Sequence, residues 1–275
     1  MKYLPELENG FLIAGFDGWG NALDISTGMV DYIILKLKAE PFGRINPDRF
    51  FRFDENRPQV EIVDGFLTNL KPPCGELYKT DKSITGKDIV ILKTAEPNLN
   101  WFTFIELILS LSKKMGVKTI ITLGSMFDNI LHTDKIISAV ASTPELLESL
   151  KQKNILTINY NGPGAIHSSI QHEAQIKGFQ CLSLWCHCPY YLQGTTHLGL
   201  LSYLGSFLAD WCGFDLDTEE LEITWRDLSK QIQEIIDKNP ELQSVIGDLK
   251  KSKSSWDPSK KDDKVVRLKD FIKPR

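Results

Sequence analysis

Hydrophobic and polar positions alternate along the chain in blocks that predict strands and helices in turn. An apolar run at residues 11–16, followed by Gly18 and Gly20, is typical of a buried strand that ends in a tight turn. From residue 21 to residue 38 the apolar positions recur every three or four residues, which predicts an amphipathic helix. The same succession of strand, helix and strand returns at residues 88–93, 101–115 and 117–123. This alternation predicts a mostly parallel sheet that is covered by helices on both faces.

The second half of the chain continues the pattern. Thr143 and Pro144 open a short helix, since proline is well suited to the first helical position, and a strand at 155–160 leads to a glycine-rich turn. A helix at 165–177 and a strand at 179–185 follow, and Thr195 or Thr196 is expected to cap a helix that runs to Trp211. Between residues 44 and 78 the pattern indicates inserted antiparallel structure. Asp64-Gly65 separates two apolar runs there, as in a two-residue hairpin turn.

The fold class indicated is therefore α/β, a three-layer sandwich with a C-terminal helical extension. We expect residues 1–215 to form the α/β domain and residues 216–250 to form the extension, with helices at 221–238 and 242–249. From residue 251 onward the periodicity fails and Ser, Lys and Asp become frequent. Residues 251–275 are therefore expected to form a basic, disordered tail.

Charge is distributed unevenly along this chain of 275 residues. Residues 250–275 hold ten Lys or Arg and four Asp or Glu, whereas the rest of the chain holds 22 basic and 32 acidic residues. An acidic body argues against nucleic-acid binding by the folded part of the protein.

Neither a secretory signal nor a membrane span is indicated by the sequence. The first ten residues, MKYLPELENG, lack a basic region followed by an apolar core, and the longest apolar stretches are much shorter than a bilayer requires. The five cysteines form no disulfide framework. We therefore expect a cytoplasmic protein without contact to membranes.

Candidate chemistry gathers in four segments that follow strands. Ligands of open α/β sheets usually bind outside the carboxyl ends of the strands, where these segments are expected to meet in a crevice. The glycines of the last turn leave backbone N–H groups exposed at a helix start, which suits an anion. The side chains that suit acid–base work are Asp17, Asp128, His132 and His167. The candidates for the crevice are Asp17, Gly18, Trp19, Asn21, Gly124, Asp128, His132, Asn161, Gly162, Gly164, His167 and Tyr190.

No complete catalytic motif is present in the sequence. The glycines from Gly15 to Gly20 match neither a dinucleotide fingerprint nor a P-loop, and Ser125 lacks the glycine pattern of a hydrolase nucleophile. Asp128 and His132 are more typical of surface or interface hydrogen bonding. His167 and His172 lie five residues apart, which places them on different sides of a helix, and a helix-surface position is expected for them.

The segment Cys186-His187-Cys188 resembles a metal or redox site, but its strand geometry favours another interpretation. Alternation sends the two cysteines to one side of a strand and the histidine to the other. Two thiols are too few for a structural zinc site. We expect the cysteines to pack as small apolar residues, and neither a metal nor a cofactor is expected.

Several segments, in order, resemble the proteasome assembly chaperone 2 family. They are LIAGFDGWGNALDISTGMVDYI (12–33), FFRFDENRPQVEIVDG (50–65), AEPNLNWFTF (95–104), ITLGSMFDNILHT (121–133), YNGPGAIHSSI (160–170) and LSLWCHCPYYL (182–192). The resemblance implies a sandwich similar to nucleoside phosphorylases and hydrolases. It also implies self-association into small rings, with trimers in bacterial-type members, and in some relatives the assembly of proteasomes. Relatives that dock on proteasomes often end in a hydrophobic residue, tyrosine and one further residue, whereas Pro274 is penultimate here.

Three functions remain open at this point. The first is a non-enzymatic, oligomeric protein that binds or assembles other proteins, with Trp101, Phe102, Phe127, Tyr190 and Tyr191 at interfaces. The second is a small-molecule binding protein or a hydrolase- or ligase-like enzyme, which takes a nucleoside or a phosphate-bearing ligand in the glycine-rich crevice. The third is a metal or redox site at residues 186–188. The sequence favours the first function.

Overall fold

A single sheet of eight strands forms the centre of the computed structural model, which describes residues 4–240, 242–244 and 246–247, without the side chains of residues 83 and 84. The strands run in the order β2-β5-β6-β1-β7-β10-β8-β9. Their bounds are β1 Gly10–Asp17, β2 Glu40–Ile45, β5 Gly75–Lys79, β6 Ile89–Ala95, β7 Val117–Asp128, β8 Ile137–Ala141, β9 Leu156–Thr157 and β10 Gln180–Pro189. The remaining two strands, β3 Gln59–Val63 and β4 Phe66–Lys71, form a separate hairpin.

The four central strands are parallel, in agreement with the sequence pattern. β6, β1, β7 and β10 pair in parallel, so their carboxyl ends lie along one edge of the sheet, which we call the carboxyl edge. The outer strands β5 and β8 are antiparallel to their inner neighbours. The predicted mostly parallel α/β sandwich is confirmed.

Helices cover both faces of the sheet and enclose two apolar cores. One core lies between the sheet and helices α1 and α6, and the other lies between the sheet and α3 and α5. The helices are α1 Ile25–Lys36, α2 Lys82–Thr85, α3 Trp101–Met115, α4 Pro144–Gln152, α5 Ile166–Ile176, α6 Leu198–Cys212 and α7 Glu219–Lys238. Short 3-10 turns occupy Ala22–Asp24 and Tyr190–Leu192.

The last long helix, α7, packs on α6 through buried Leu221 and Trp225. The proposed boundary at residue 215 remains a prediction. The tail from residue 251 to Arg275, and most of the predicted helix at 242–249, lie outside the described residues. Within the described part of the chain, no helix combines the length and the apolar character that a bilayer crossing requires.

Local signals in the sequence account for several element boundaries. Thr143 caps α4 by accepting a hydrogen bond from the N–H of Leu146 (3.3 Å). Gly116 ends α3 with φ of 82°, a conformation that suits glycine. Asp64 and Gly65 form the hairpin turn with φ of 50° and 79°, as a type I′ turn requires. These three predictions are confirmed.

Other boundaries differ from the prediction. The strands predicted at 117–123 and 179–185 are longer than expected, because β7 and β10 pair as far as Asp128 and Pro189. The predicted strand at 155–160 pairs only over Leu156–Thr157, and the predicted helix from residue 21 begins at Ile25. β8 was not predicted. α6 is capped by His197, whose ring accepts from the N–H of Leu200, rather than by Thr195 or Thr196.

Candidate functional site

The turn after β1 is organised by the side chain of Asn21. Its amide nitrogen donates to Asp17 Oδ1 (3.2 Å), Asp24 Oδ1 (3.3 Å) and Thr27 Oγ1 (3.0 Å), and its Oδ1 accepts from the N–H of Ser26 (3.0 Å). Asn21 is buried in this network. Its hydrogen-bonding capacity is used within the turn, so Asn21 shapes the first turn of the crevice rather than facing a ligand.

The crevice between this turn and β7 is filled by two side chains. A Cβ placed on Gly124 would lie 2.9 Å from the ring of Trp185. A Cβ on Gly20 would lie 3.0 Å from the ring of His167 and 3.1 Å from that of Trp185. The two glycines therefore leave room for an aromatic pair, and this space does not hold a ligand.

His167 is buried within the protein, so its predicted place on the helix surface is wrong, whereas His172 is exposed. The ring packs between Phe16 and Trp185, at centroid distances of 5.1 and 4.8 Å. Its Nε2 donates to the carbonyl oxygen of Leu123 (2.9 Å), and Nδ1 has no hydrogen-bond partner among the described residues. Burial lowers the pKa of His167 to about 4. The imidazole is therefore neutral near pH 7 and closed to solvent, which does not suit a general base.

Asp128 and His187 form a chain of hydrogen bonds with Ser138 across three neighbouring strands. Nδ1 of His187 lies 2.7 Å from Asp128 Oδ2, and Nε2 lies 2.9 Å from Ser138 Oγ. Carboxylate, imidazole and hydroxyl follow one another as in a serine-hydrolase triad, but here the hydroxyl is buried and the carboxylate is partly exposed. Ser138 is 0% exposed, whereas the side chain of Asp128 is 44% exposed. A nucleophile must meet its substrate, so this chain of bonds is structural and joins β7, β10 and β8.

His132 lies in a different region, below α7. Its backbone N–H donates to Tyr191 Oη (2.6 Å), and its Nδ1 lies 2.9 Å from the same oxygen. Nε2 of His197 donates to the carbonyl oxygen of His132 (3.0 Å), and the Trp225 ring stacks on His197 at 3.8 Å. His132 is buried within the subunit, because α7 covers it. Burial lowers the pKa of His197 to about 4 and raises that of Tyr191 to about 12.

The glycine-rich loop before α5 is exposed, with Asn161, Gly162 and Gly164 all open to solvent. The predicted anion site at the start of α5 is not free, since the N–H of Ile166 donates to Glu96 Oε1 at 2.7 Å. A protein carboxylate thus takes the place that the helix start would offer to an anion.

A cavity of about 480 Å³ opens beside the β1 turn. It is lined by the candidates Asp17, Gly18 and Trp19, and by Trp101, which was expected at an interface. The other lining residues, which the sequence did not single out, are Asn56, Ala95, Glu96, Pro97 and Asn98. None of all these lining residues is Lys or Arg, and two of them are carboxylates, so the cavity does not suit a phosphate. A second recess of about 490 Å³ shares Asp17, Asn56 and Ala95 with it. The other candidates line neither space.

The cysteines of β10 belong to the apolar core, as predicted. Cys186 and Cys188 pack in the core next to α1 and α6, while His187 points to the other face of the sheet. Burial raises the pKa of Cys186 well above its usual value and that of Cys188 to about 12. Over residues 4–240, 242–244 and 246–247, no three His, Cys, Asp or Glu side chains are grouped so that they could hold a metal ion.

Aromatic side chains are exposed along the carboxyl edge and in the segments next to it. Trp19, Phe102 and Tyr190 are each 59–68% exposed, and we call these three residues the aromatic rim. Tyr190 stacks on Phe127 with the ring centroids 5.2 Å apart. The rim thus combines large apolar surface with ring positions that are partly fixed by neighbours.

Comparison with known proteins gives matches over most of the chain. The model of the PAC2 family matches residues 12–236. No curated protein matches. Similar solved structures include the Mycobacterium tuberculosis proteasome-assembly chaperone homologue (23% identity, 86% of this chain and 99% of that chain, TM-score 0.78). A PAC2 family protein from Streptomyces avermitilis has the same identity and coverage, with a TM-score of 0.76. Pyrococcus furiosus PbaA, an archaeal homologue of proteasome-assembly chaperone, is 16% identical over 90% of this chain and 96% of that chain (TM-score 0.61).

Proposed function

Since the chain belongs to the PAC2 family, we propose that it is a non-enzymatic protein that associates with itself and binds other proteins, in the manner of an assembly chaperone. The archaeal and mycobacterial homologues of proteasome-assembly chaperones among its structural neighbours support a chaperone-like role. Its own client is a protein of unknown identity. We also propose a cytoplasmic location, which is supported by five cysteines that are all free.

The aromatic rim is the observation that carries this proposal. Trp19, Phe102 and Tyr190 place three large rings in contact with solvent near one edge of the protein. Exposed aromatic side chains contribute strongly to protein interfaces because they bury a large area at little cost in side-chain entropy. Exposure of this apolar surface to water is unfavourable, and a partner protein would bury it.

The state of the candidate catalytic groups also supports a non-enzymatic role. Asn21 and His167 are used inside the fold, and Ser138 is out of reach of any substrate. A hydrolase or ligase would need a nucleophile or base that faces a cleft. Asp17 alone of the acid–base candidates lines the cavity beside the β1 turn.

The cavity beside the β1 turn favours one alternative, a small-molecule binding protein. Its lining combines the rings of Trp19 and Trp101 with the carboxylates of Asp17 and Glu96. These side chains suit a flat ligand that carries hydrogen-bond donors, such as a nucleoside. The two carboxylates would repel the phosphate group of the corresponding nucleotide. If the alternative holds, adenosine or guanosine raises the melting temperature and the corresponding monophosphate raises it less.

Affinity capture from a lysate of the source organism tests the main proposal. We would immobilise the wild-type protein, the double variant Trp19→Ala/Phe102→Ala and the control Leu35→Ala, which removes an exposed apolar side chain from α1. A client should be retained by the wild type and the control and lost by the rim variant. Proteins retained equally by all three, or by none, would contradict the proposal. Light scattering on the same wild-type sample should give a mass above that of one chain.

A further inference from the structure

The hairpin β3–β4 carries an apolar face that nothing else in the described chain covers. Val60 pairs with Leu70, and Ile62 pairs with Leu67. Val60 and Ile62 are alternate residues of β3, and each shares a face with the residue opposite it. The register shift between Glu61 and Ile62 keeps Leu67 and Leu70, which are three residues apart, on that same side of the hairpin. Each of the four side chains is 57–62% exposed. We call Val60, Ile62, Leu67 and Leu70 the apolar ribbon face.

The other side of the hairpin is different in character. The pairs Gln59–Lys71, Glu61–Asn69 and Val63–Phe66 lie there, and Gln59 and Lys71 line the recess next to the sheet. This side is therefore polar near the base of the hairpin and apolar only at its tip, whereas the apolar ribbon face is apolar along its length. A two-stranded hairpin is marginally stable in water unless a surface packs on it. The apolar ribbon face therefore needs a covering surface.

A second uncovered apolar surface lies at the far end of the sheet. Val140 on β8 and Leu156 on β9 are exposed, and Ile158 and Tyr160 follow Leu156 at alternate positions. These four side chains are 37–64% exposed, and we call them the β9-end surface. No residue from Leu156 to Gly164 is charged, and no member of the apolar ribbon face is charged. The centres of protein interfaces are depleted in charge in the same way.

These two surfaces lie too far apart to meet within one molecule. The hairpin is inserted between β2 and β5 at one end of the sheet, and β9 is the last strand at the other end. Six strand spacings separate β5 from β9, which is about 30 Å. Strands of five and six residues extend only about 20 Å. The two surfaces can therefore meet only between different molecules.

We propose that the apolar ribbon face of one subunit packs on the β9-end surface of the next subunit, and that this junction builds the oligomer. This inference rests on the self-association that is part of the proposed function, and it identifies the two surfaces through which the subunits associate. A two-fold contact of ribbon against ribbon would cover one of the two apolar surfaces in each subunit. The head-to-tail contact covers both, and so buries about twice the area per subunit, toward the roughly 800 Å² per partner of a stable interface. Head-to-tail contacts of this kind close into rings when their rotation permits.

Two charge insertions and one matched control test the junction. Leu67→Lys places a cation in the apolar ribbon face, Ile158→Lys places one in the β9-end surface, and Asn69→Lys adds the same charge to the polar side of the hairpin. Light scattering after size exclusion should give the wild-type mass for Asn69→Lys and the monomer mass for the other two. Native mass spectrometry of a mixture of Leu67→Lys and Ile158→Lys should show a heterodimer, since one intact junction remains. Circular dichroism melting curves confirm that each variant is folded.

Cross-linking of the unaltered protein gives a readout that does not depend on the variants. In a mixture of ¹⁴N- and ¹⁵N-labelled chains, a lysine cross-linker should join Lys71 of one isotope to Lys153 of the other, since Lys153 lies just before β9. A monomeric wild type, an Ile158→Lys variant of wild-type mass, the failure of the mixed variants to associate, or the absence of this mixed-isotope link would each overturn the junction. Client capture through the aromatic rim is measured separately, so the junction can fail while the proposal of client binding stands.

Discussion

The carboxylate of Asp128 accepts a 2.7 Å hydrogen bond from Nδ1 of His187, which lies on the neighbouring strand. With Nδ1 donating, Nε2 is left to accept from the hydroxyl of Ser138, at 2.9 Å. One carboxylate thereby fixes the tautomer of the imidazole and, through it, the direction of a buried hydroxyl. The three groups have the connectivity of a catalytic centre and serve to tie three strands together.

A structural role for this chain of bonds predicts no acylation of Ser138. A fluorophosphonate probe should leave the folded protein unlabelled under conditions that label a reference serine hydrolase fully. Ser138→Ala should lower the free energy of unfolding by about 1 kcal/mol, because it removes one buried hydrogen bond. His187→Ala should cost more, since it also leaves the buried hydroxyl without an acceptor; both are measured by urea denaturation. Labelling of Ser138 that disappears in His187→Ala would show instead that the centre is catalytic.

Stability should fall as the pH drops from about 6.5 toward 4. The pKa values of His167 and His197 are lowered from 6.5 to about 4 by burial, so the unfolded chain binds protons in this range more strongly than the folded protein does. At pH 5 each residue should reduce the free energy of unfolding by roughly 2 kcal/mol relative to pH 7 and above. Urea denaturation at pH 7.5 and pH 5 measures the difference.

Variants separate the two buried histidines from the exposed one. His167→Asn should reduce the loss of stability between pH 7.5 and pH 5, although the variant itself is less stable. The control His172→Asn removes an exposed imidazole and should leave the pH dependence as it is. An unchanged pH dependence in His167→Asn would mean that this histidine is already protonated in the folded state.

Gly124→Ala should destabilise the protein by about 1–3 kcal/mol. The added methyl group would lie 2.9 Å from the Trp185 ring, which is itself held against His167 and cannot withdraw without moving the core. Gly28→Ala is the matched control. Its Cβ meets Leu201 at an ordinary 3.6 Å, and alanine in a helix is favoured over glycine by about 1 kcal/mol. Thermal melting should therefore shift in opposite directions for the two variants, and equal shifts would contradict the close packing at Gly124.

Glu96→Ala should cost about 1–2 kcal/mol, because it removes the carboxylate that accepts from the N–H of Ile166 at the start of α5. Glu106→Ala removes a carboxylate that pairs with Lys177 at the other end of α5, where both side chains are open to solvent. Exposed ion pairs contribute little, so this control should change stability by less than about 0.5 kcal/mol. Equal losses in the two variants, measured by chemical denaturation, would count against the capping role.

The sequence predicts those parts of the fold whose signals are local. Trp101–Met115 has a helical period of apolar residues and is followed by a glycine that ends the helix. Asp64-Gly65 favours a tight hairpin turn, because both residues adopt positive φ there. Gly124 was interpreted as the end of a strand. A sequence does not distinguish a glycine that a turn requires from one that close packing requires, as here against Trp185. β8 was missed because its five residues carry a weak period.

The sequence predicted where the candidate site lies in the fold, but it did not predict which side chains contact one another there. Asp17, Gly18 and Trp19 line a cavity at the carboxyl edge, where the strand ends of a parallel sheet were expected to place them. That His187 meets Ser138 depends on the register between β10 and an unpredicted strand. The cap of α5 by Glu96 is a contact between residues 70 positions apart, and neither local sequence contains a pattern that predicts it.

The central position of β1 has a consequence for synthesis of the protein on the ribosome. Gly10–Asp17 emerges before both of its partners in the sheet, which end at Ala95 and Asp128. At about 5–20 residues per second, an apolar strand waits roughly ten seconds for its first neighbour. During that interval β1 is an unpaired, aggregation-prone segment of the nascent chain. A factor that binds nascent chains would find an exposed apolar target in these eight residues.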